Sequence, residues 1–568
     1  MQNKLATFLL LSAVFLLVFV ALVVLRSSDD NSLFSWAWVF TRTDASAVYL
    51  LLISALILSF ALARAELPAR YQLPFLAFFS FAAAVPFWGQ PETIVDASRY
   101  FTQAKHLDVY GIGYFLREWG RDIQAWTDMP LVPFIYGMLF KLFGEHRLAV
   151  QVFTTVLFSL TTVLTCLIGE RLWNRDIGFS AGLLLLGIPY LLTQVPLMLV
   201  DVPTMFFLML AIFTFLNALD HGGPARSLLS VAAIVLVVLT KYSAWFLLSV
   251  LVVTLMVRAH RIGAIDRVVL KRGLTILLTA GVLAGTILLL KYDVMREQLT
   301  LLREFQGPGL TRWQESFFST FLFQIHPVIT AAALASIVVA YRKRDAAYLI
   351  ICWLIFLPVL FHITRIRYIL PLFPLLALMA SYGLQIIARE DLRRSIVLGT
   401  VATSLVIAFA AYLPFAKNMS AVNIKHAGAY LNTLPENSIE VFTIASEAPV
   451  ANPAVSVPLL DLFTHKQIRY HYRNEPLLPL EEILRSSLRF TWEYRNPAYY
   501  ESSPKSKAAM PVVVMSNASD STLPLWLAGK LDGYRLSRSF QVNEDVFVYT
   551  VGVRIYQPSK AHPIQTYE

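Results

Sequence analysis

Apolar runs of about 20 residues, the length a helix needs to cross the roughly 30 Å hydrocarbon core of a bilayer, recur from Leu5 to Pro414. Such runs can bury their backbone polar groups in lipid only as helices. Hydrophobic residues make up 57% of the 568 and charged residues 15%, and the polar ones gather between the runs. That pattern excludes a soluble globule and reads as a polytopic membrane protein. Leu5 to Leu25 is longer than a secretory signal core and no A-x-A site follows it, so it reads as a retained first span. Cys166 and Cys352 both fall within apolar runs, which points to buried thiols and not to a disulfide framework or a thiolate metal site.

The net charge of +10 is distributed in a way that rules out nucleic acid as a partner. From Phe415 to Glu568 there are 15 Lys and Arg against 14 Asp and Glu, so the excess lies among the spans. Bases cluster at Arg64 and Arg70, at Arg171 and Arg175, at Arg226, from Arg258 to Arg272, from Arg342 to Arg344, and from Arg389 to Arg394. Short base-rich connections stay in the cytoplasm. The alternation therefore predicts a cytoplasmic N-terminus, with Asp29 to Thr43, the loop after Trp88 and the C-terminal region outside the inner (plasma) membrane.

Two stretches are too long for a single crossing. Phe179 to Leu219 would run about 60 Å as one helix, so it must fold back, and Pro196, Asp201 and Pro203 mark the turn. Ser227 to Val257 must also break, and Lys241 lies near its middle. The expected total is about thirteen spans.

The chain divides into a transmembrane region, residues 1–414, whose outer loop covers 89–146, and a segment from 415 to 568 of different character. There, amphipathic stretches (Ile424 to Leu434, Leu480 to Phe490) alternate with strand-like runs (Ile439 to Ala445, Pro511 to Met515, Val546 to Val551). This predicts a small α/β extracytoplasmic domain.

The outer loop opens with Asp96, directly after the apolar run Leu73 to Trp88, and continues with Arg99, Tyr100, Lys105, His106, Asp108, Trp119, Trp126 and Asp128. Aromatic and polar residues at roughly helical spacing suit helices lying in the headgroup plane. Such helices hold a carboxylate beside lipid phosphates, or simply anchor the fold through Trp119 and Trp126. Lys241 at an outer turn reaches headgroup level. The alternative is a snorkelling anchor. Asp201 before Val202 and Pro203 also has a competing role as a helix-start acid. His326 and His362 lie near outer span ends. There is no glycine-rich phosphate loop, no Asp-x-Asp pair and no zinc spacing, which disfavours a soluble nucleotide-sugar donor.

Taken in order, several segments resemble the GT-C membrane glycosyltransferases, specifically the protein O-mannosyltransferase-like and aminoarabinose transferase-like branch. They are Asp96-Ala97-Ser98-Arg99-Tyr100, Met129-Pro130-Leu131-Val132-Pro133 leading to Leu142-Phe143-Gly144, Gly169-Glu170-Arg171-Leu172-Trp173, Leu199-Val200-Asp201-Val202-Pro203, Thr240-Lys241-Tyr242 and Arg367-Tyr368-Ile369-Leu370-Pro371. The resemblance implies a polytopic α-helical GT-C fold and transfer of one sugar from a polyprenyl-phosphate donor, usually with inversion. The acceptor is a hydroxyl of lipid A, a lipid-linked glycan or a protein on the outer face. It also implies Asp96 as the catalytic base, Lys241, Arg365, Arg367 and Lys105 as donor-phosphate ligands, and Tyr100, Asp128, Asp201, Tyr368 and His326 as substrate-binding residues.

The sequence departs from the family pattern twice. Ala97 stands where the family often carries a second acid, so no divalent metal carries over and no cofactor is assigned, though such a metal is left open. Where the family commonly has Arg after the Leu-Phe-Gly turn, Arg147 comes early and Gln151 occupies the expected place. A transporter or flippase of lipid-linked sugars is the alternative reading, although no pair of similar halves is visible and polar residues concentrate on one side. A non-catalytic sugar-lipid sensor is a third.

Overall fold

The computed structural model describes residues 2–26, 39–40, 43–125, 128–261, 264–306, 316–419, 421–444, 451–472, 481, 488–501, 510–516, 523–541 and 549–559. Trp126, most of Asp29 to Thr43, most of Leu480 to Phe490 and the start of Val546 to Val551 lie outside them. The chain forms two compact units. One comprises residues 1–89, 118–135 and 148–416. The other gathers residues 90–117 and 136–147 of the outer loop with 417–568.

The first unit is helical. Among the described residues, eight helices are long and apolar enough to cross a membrane, including Arg147–Leu172, Asp201–His221, Arg267–Leu289 and Ile366–Ile386. Shorter apolar helices such as Pro224–Val238 and Tyr348–Leu360 lie between them. The chain is a multi-pass membrane protein. Phe179 to Leu219 breaks twice, as its length requires. Helix Arg175–Leu185 stops before a turn, Pro189–Gln194 forms a short buried helix, and Asp201–His221 starts the return. Pro189 and Pro203 both sit in first turns, where the missing N–H would have no intrahelical partner. Ser227 to Val257 breaks after Pro224–Val238 and resumes at Ala244, which leaves Lys241 in the gap.

The segment Gly169 to Trp173 acquires a packing role. A Cβ at Gly178 would lie 2.2 Å from the carbonyl oxygen of Cys166, and one at Gly169 would lie 2.6 Å from the Cα of Gly178. The helices Arg147–Leu172 and Arg175–Leu185 therefore meet backbone to backbone, a close approach that small residues permit in membranes. Asn174 starts the second helix by accepting from the N–H of Ile177 at 3.0 Å. The Trp173 indole donates to Asp345 at 2.6 Å, and the hydroxyl of Tyr382 donates to the same oxygen at 2.8 Å.

The second unit contains a five-stranded sheet. Its strands are β1 (Ser438–Ile444), β2 (Gln467–Tyr470), β3 (Val512–Ser516), β4 (Tyr534–Phe540) and β5 (Gly552–Pro558), in the order β2-β1-β3-β5-β4. β1 pairs in parallel with β2 and β3, while β5 runs antiparallel to β3 and β4. Every residue of β3 is buried, as an unbroken apolar central strand should be. Phe442, Val512, Val514, Leu527 and Tyr556 pack into one core. The expected strands at Ile439 and Pro511 match β1 and β3 within a residue. Of the expected run Val546 to Val551 only residues 549–551 are described, and the described strand begins at Gly552, where pairing with Ser516 starts.

The first loop segment of this unit lies largely on helix Ile94–Glu118, which is broken at Gly111 (φ 85°, ψ 172°), a conformation that favours glycine. Before the break, Ile94, Ala97, Phe101, Ala104 and Leu107 form a buried stripe. Beyond Leu107, the apolar Val109, Ile112 and Leu116 are exposed, a surface suited to a bilayer interface.

Gly178→Ala should destabilise the protein by about 1–3 kcal/mol through overpacking, read as a lowered Tm in detergent. Gly281→Ala, where a Cβ meets nothing within 4 Å, should leave the Tm unchanged or raise it.

Candidate active site

Breaking two long apolar stretches leaves polar residues at the ends of helices, and in the first unit three charged side chains meet there. Asp201, 1% exposed, opens helix Asp201–His221. It makes no cap, since the capping position is Val200 and has no side-chain bond. Instead its carboxylate divides between two cations: Lys241 Nζ donates to Oδ1 at 2.8 Å and Arg367 Nε to Oδ2 at 2.8 Å. Lys241 is itself buried, and the Arg367 side chain is 15% exposed. The Tyr368 ring lies 5.3 Å from Lys241 Nζ and 5.5 Å from the Arg365 guanidinium carbon, offering both cations its face.

One carboxylate holds two cations at a helix break in a low-dielectric setting, where charge is kept only in paired arrangements. The loop segment Met129 to Pro133 is tied to the same break. The N–H of Leu131 donates to the carbonyl of Leu239, at the end of helix Pro224–Val238, at 3.0 Å. Asp128 is buried, and its backbone carbonyl accepts from Gln298 at 2.8 Å. Four segments far apart in the chain thus converge on one helix break.

Asp96 lies in the second unit, in the first turn of helix Ile94–Glu118, where the helix dipole favours negative charge. Its side chain is 25% exposed and accepts from Arg99 Nη2 at 3.3 Å. The same Arg99 nitrogen lies 3.1 Å from the buried Tyr100 hydroxyl. Asp96 is thus an accessible carboxylate with a cation at its side.

Lys105 is drawn into a different network. Its ammonium donates to Asp461 at 2.5 Å and to Glu145 at 3.1 Å, and the Tyr500 hydroxyl donates to Asp461 at 2.8 Å. The rings of Phe101, Tyr499 and Tyr500 lie 5.4 to 5.8 Å from the ammonium. Burial alone would lower the Lys105 pKa, but Asp461 and Glu145 outweigh it and raise it. Burial, and next the charge of Asp461, push Glu145 up to about 8. Lys105 is therefore engaged in joining loop residues to the C-terminal segment.

His326 caps helix Pro327–Lys343: Nδ1 accepts from the N–H of Val328 at 3.2 Å, and Nε2 lies 3.1 Å from the Thr403 hydroxyl. Both ring nitrogens are engaged. Sequence reasoning missed Asp461, which is 356 positions from Lys105 and carries no local signal. It read Arg147 as coming too early for the family contact, yet Arg147 forms a buried pair with Glu92 at 2.6 Å. Gln151 donates to the Trp88 carbonyl at 2.9 Å. Arg99 was legible, three residues after an acid on a helix.

A divalent metal does not fit the residues around Asp96. The adjacent acid of the family pattern is the buried Ala97, Glu92 is bonded to Arg147, and the cation beside Asp96 is Arg99. Among the described residues no group of three His, Cys, Asp or Glu side chains is placed to hold a metal ion.

Comparison with known proteins agrees with this architecture. Residues 127–282 match the family described as dolichyl-phosphate-mannose-protein mannosyltransferase, a span that includes Met129 to Pro133, Asp201 and Lys241. No curated protein matches the sequence. Among solved structures, ArnT from Cupriavidus metallidurans bound to undecaprenyl phosphate is 14% identical, with a TM-score of 0.51 over 86% of this chain and 98% of that one. The same protein in its apo state is 15% identical, with a TM-score of 0.49 over 84% and 97%. The oligosaccharyltransferase of Archaeoglobus fulgidus tethered with an acceptor peptide is 12% identical, with a TM-score of 0.47 over 79% and 69%. The ArnT likeness, covering nearly all of both chains, is one of fold. With the family match it bears out the resemblance to GT-C membrane glycosyltransferases of the aminoarabinose transferase and protein O-mannosyltransferase type.

Asp201→Asn would remove the buried carboxylate that Lys241 and Arg367 share and should cost about 3–5 kcal/mol, seen as loss of folded protein or a sharp fall in Tm. Glu145 yields a pH signature. Its folded pKa lies above its ordinary value of 4.5, so its contribution to stability is full below about pH 4.5 and is lost as pH rises through about 8. Glu145→Gln should therefore flatten the decline in Tm between pH 5 and pH 9 in the full-length protein.

Proposed function

We propose that this GT-C-fold membrane protein is a glycosyltransferase that moves a single sugar from a polyprenyl-phosphate carrier to an acceptor hydroxyl on the extracytoplasmic face, with inversion at the anomeric carbon. The observation that carries the reading is the pair of cations, Lys241 and Arg367, that Asp201 holds together at a helix break. A lipid phosphate is the anion such a cluster favours at a helix break in a membrane protein. Undecaprenyl phosphate is the ligand of the ArnT structure with the same fold.

The proposed chemistry needs a base for the acceptor and cations for the departing phosphate. Asp96 accepts the proton of the acceptor hydroxyl as the new bond to the anomeric carbon forms. The bond from that carbon to the phosphate oxygen breaks, and polyprenyl phosphate leaves with its negative charge. Lys241 and Arg367, with Arg365 beside them, stabilise that charge. Asp201 holds the two cations in place, and Tyr368, Tyr100 and Asp128 are proposed to contribute to substrate binding. Lys105 and His326 serve the fold. The protein sits in the plasma membrane with its N-terminus in the cytoplasm and the sheet-bearing segment outside, and the acceptor is lipid A, a lipid-linked glycan or a protein.

The test is sugar transfer by purified protein in lipid, using labelled polyprenyl-phosphate sugars and membrane-extract acceptors. Asp96→Asn should lower turnover by about 10²- to 10⁴-fold while donor binding is retained. Lys241→Gln should weaken donor binding by about 10- to 100-fold, the worth of a charge-assisted hydrogen bond. Unchanged turnover in Asp96→Asn would remove the base from that residue. Failure of every donor to transfer would favour a transporter.

A further inference from the structure

Between helices Pro224–Val238 and Arg267–Leu289, the first unit carries a cavity of about 480 Å³ lined by Ser227, Arg267, Val268, Lys271, Arg272, Thr275 and Ile276. We propose that this cavity binds an anionic phospholipid, with the headgroup phosphate against Arg267 and Lys271 and an acyl chain along Val268 and Ile276. The inference is independent of the reaction proposed above.

The placement of the bases carries the argument. Arg267 and Lys271 are four residues apart and so share one face of helix Arg267–Leu289, at its N-terminal end. Both are exposed, and neither forms an ion pair among the described residues. Arg272 is fixed behind them, donating to the carbonyls of Leu219 and Ala218 at 2.6 and 3.3 Å, at the end of helix Asp201–His221. The nearby acid, Asp266, spends its carboxylate on the N–H groups of Val268 and Val269 at 3.0 and 3.1 Å. Three cations against one capping carboxylate leave the mouth positive.

Orientation in the membrane requires bases but no cavity. A free anion would use the bases but leave the apolar wall unfilled. That wall continues down the helix, where Val268, Leu278 and Val282 are each 65 to 67% exposed, a surface that acyl chains cover. A basic pocket between helices, open to lipid, matches a headgroup with its tail attached.

The test is lipid retention by the purified full-length protein in detergent, measured by native mass spectrometry with phosphatidylglycerol, phosphatidylcholine and inorganic phosphate as probes. Phosphatidylglycerol should be retained in preference to phosphatidylcholine, and inorganic phosphate should not displace it. Arg267→Gln with Lys271→Gln should lower its affinity about thirty-fold, whereas Arg342→Gln with Lys343→Gln, which removes equal charge elsewhere, should not. Thr275→Trp, which keeps the charges and fills the cavity, should reproduce the loss. Equal losses in both double variants, equal retention of the two lipids, displacement by phosphate, or undiminished binding in Thr275→Trp would each overturn the proposal.

Discussion

The carboxylate of Asp201 is the contact on which the arrangement of the helical unit turns. A charged group buried this deeply survives only with partners of opposite sign at hydrogen-bond distance, and Asp201 has two, at 2.8 Å each. Satisfying it requires that the stretch around Lys241 break where it does and that the segment bearing Arg367 come alongside. The three side chains that hold this part of the fold together are thus the ones to which the proposed reading gives the donor phosphate.

The second unit is organised around a comparable constraint with the signs reversed. Lys105 projects from a loop helix and is met by two carboxylates and three aromatic rings. Burial, and next the charge of Asp461, push the Glu145 pKa up to about 8. The network binds the helix that carries Asp96 to the segment after Lys417, so the candidate base stands on a helix braced by distant sequence.

Much of this was visible in the chain before any folding. Run lengths demanded breaks in Phe179 to Leu219 and in Ser227 to Val257, and Lys241 falls in a break as that arithmetic required. The buried strands β1 and β3 announced themselves by β-branched apolar runs, whereas the exposed edge strand β4, with Arg535 and Arg538, has no such signal. Asp201 as a helix-start acid was half the answer: it does open the helix, yet its carboxylate serves two cations and not the helix backbone.

Composition and spacing by themselves determined that the chain crosses a membrane many times, where its long apolar stretches must interrupt themselves, and that Asp96, Lys241 and Arg367 merit chemical attention. These follow from local rules, since the length of a helix, the thickness of a bilayer and the cost of burying charge need no knowledge of distant partners. Only the tertiary structure decided which charges meet. It joined Asp201 to Lys241 and Arg367, took Lys105 for Asp461, and left Arg267 and Lys271 facing an open cavity. A side chain's charge can be read from the sequence, but its electrostatic role depends on neighbours within a few ångströms, and those are supplied by residues tens to hundreds of positions away.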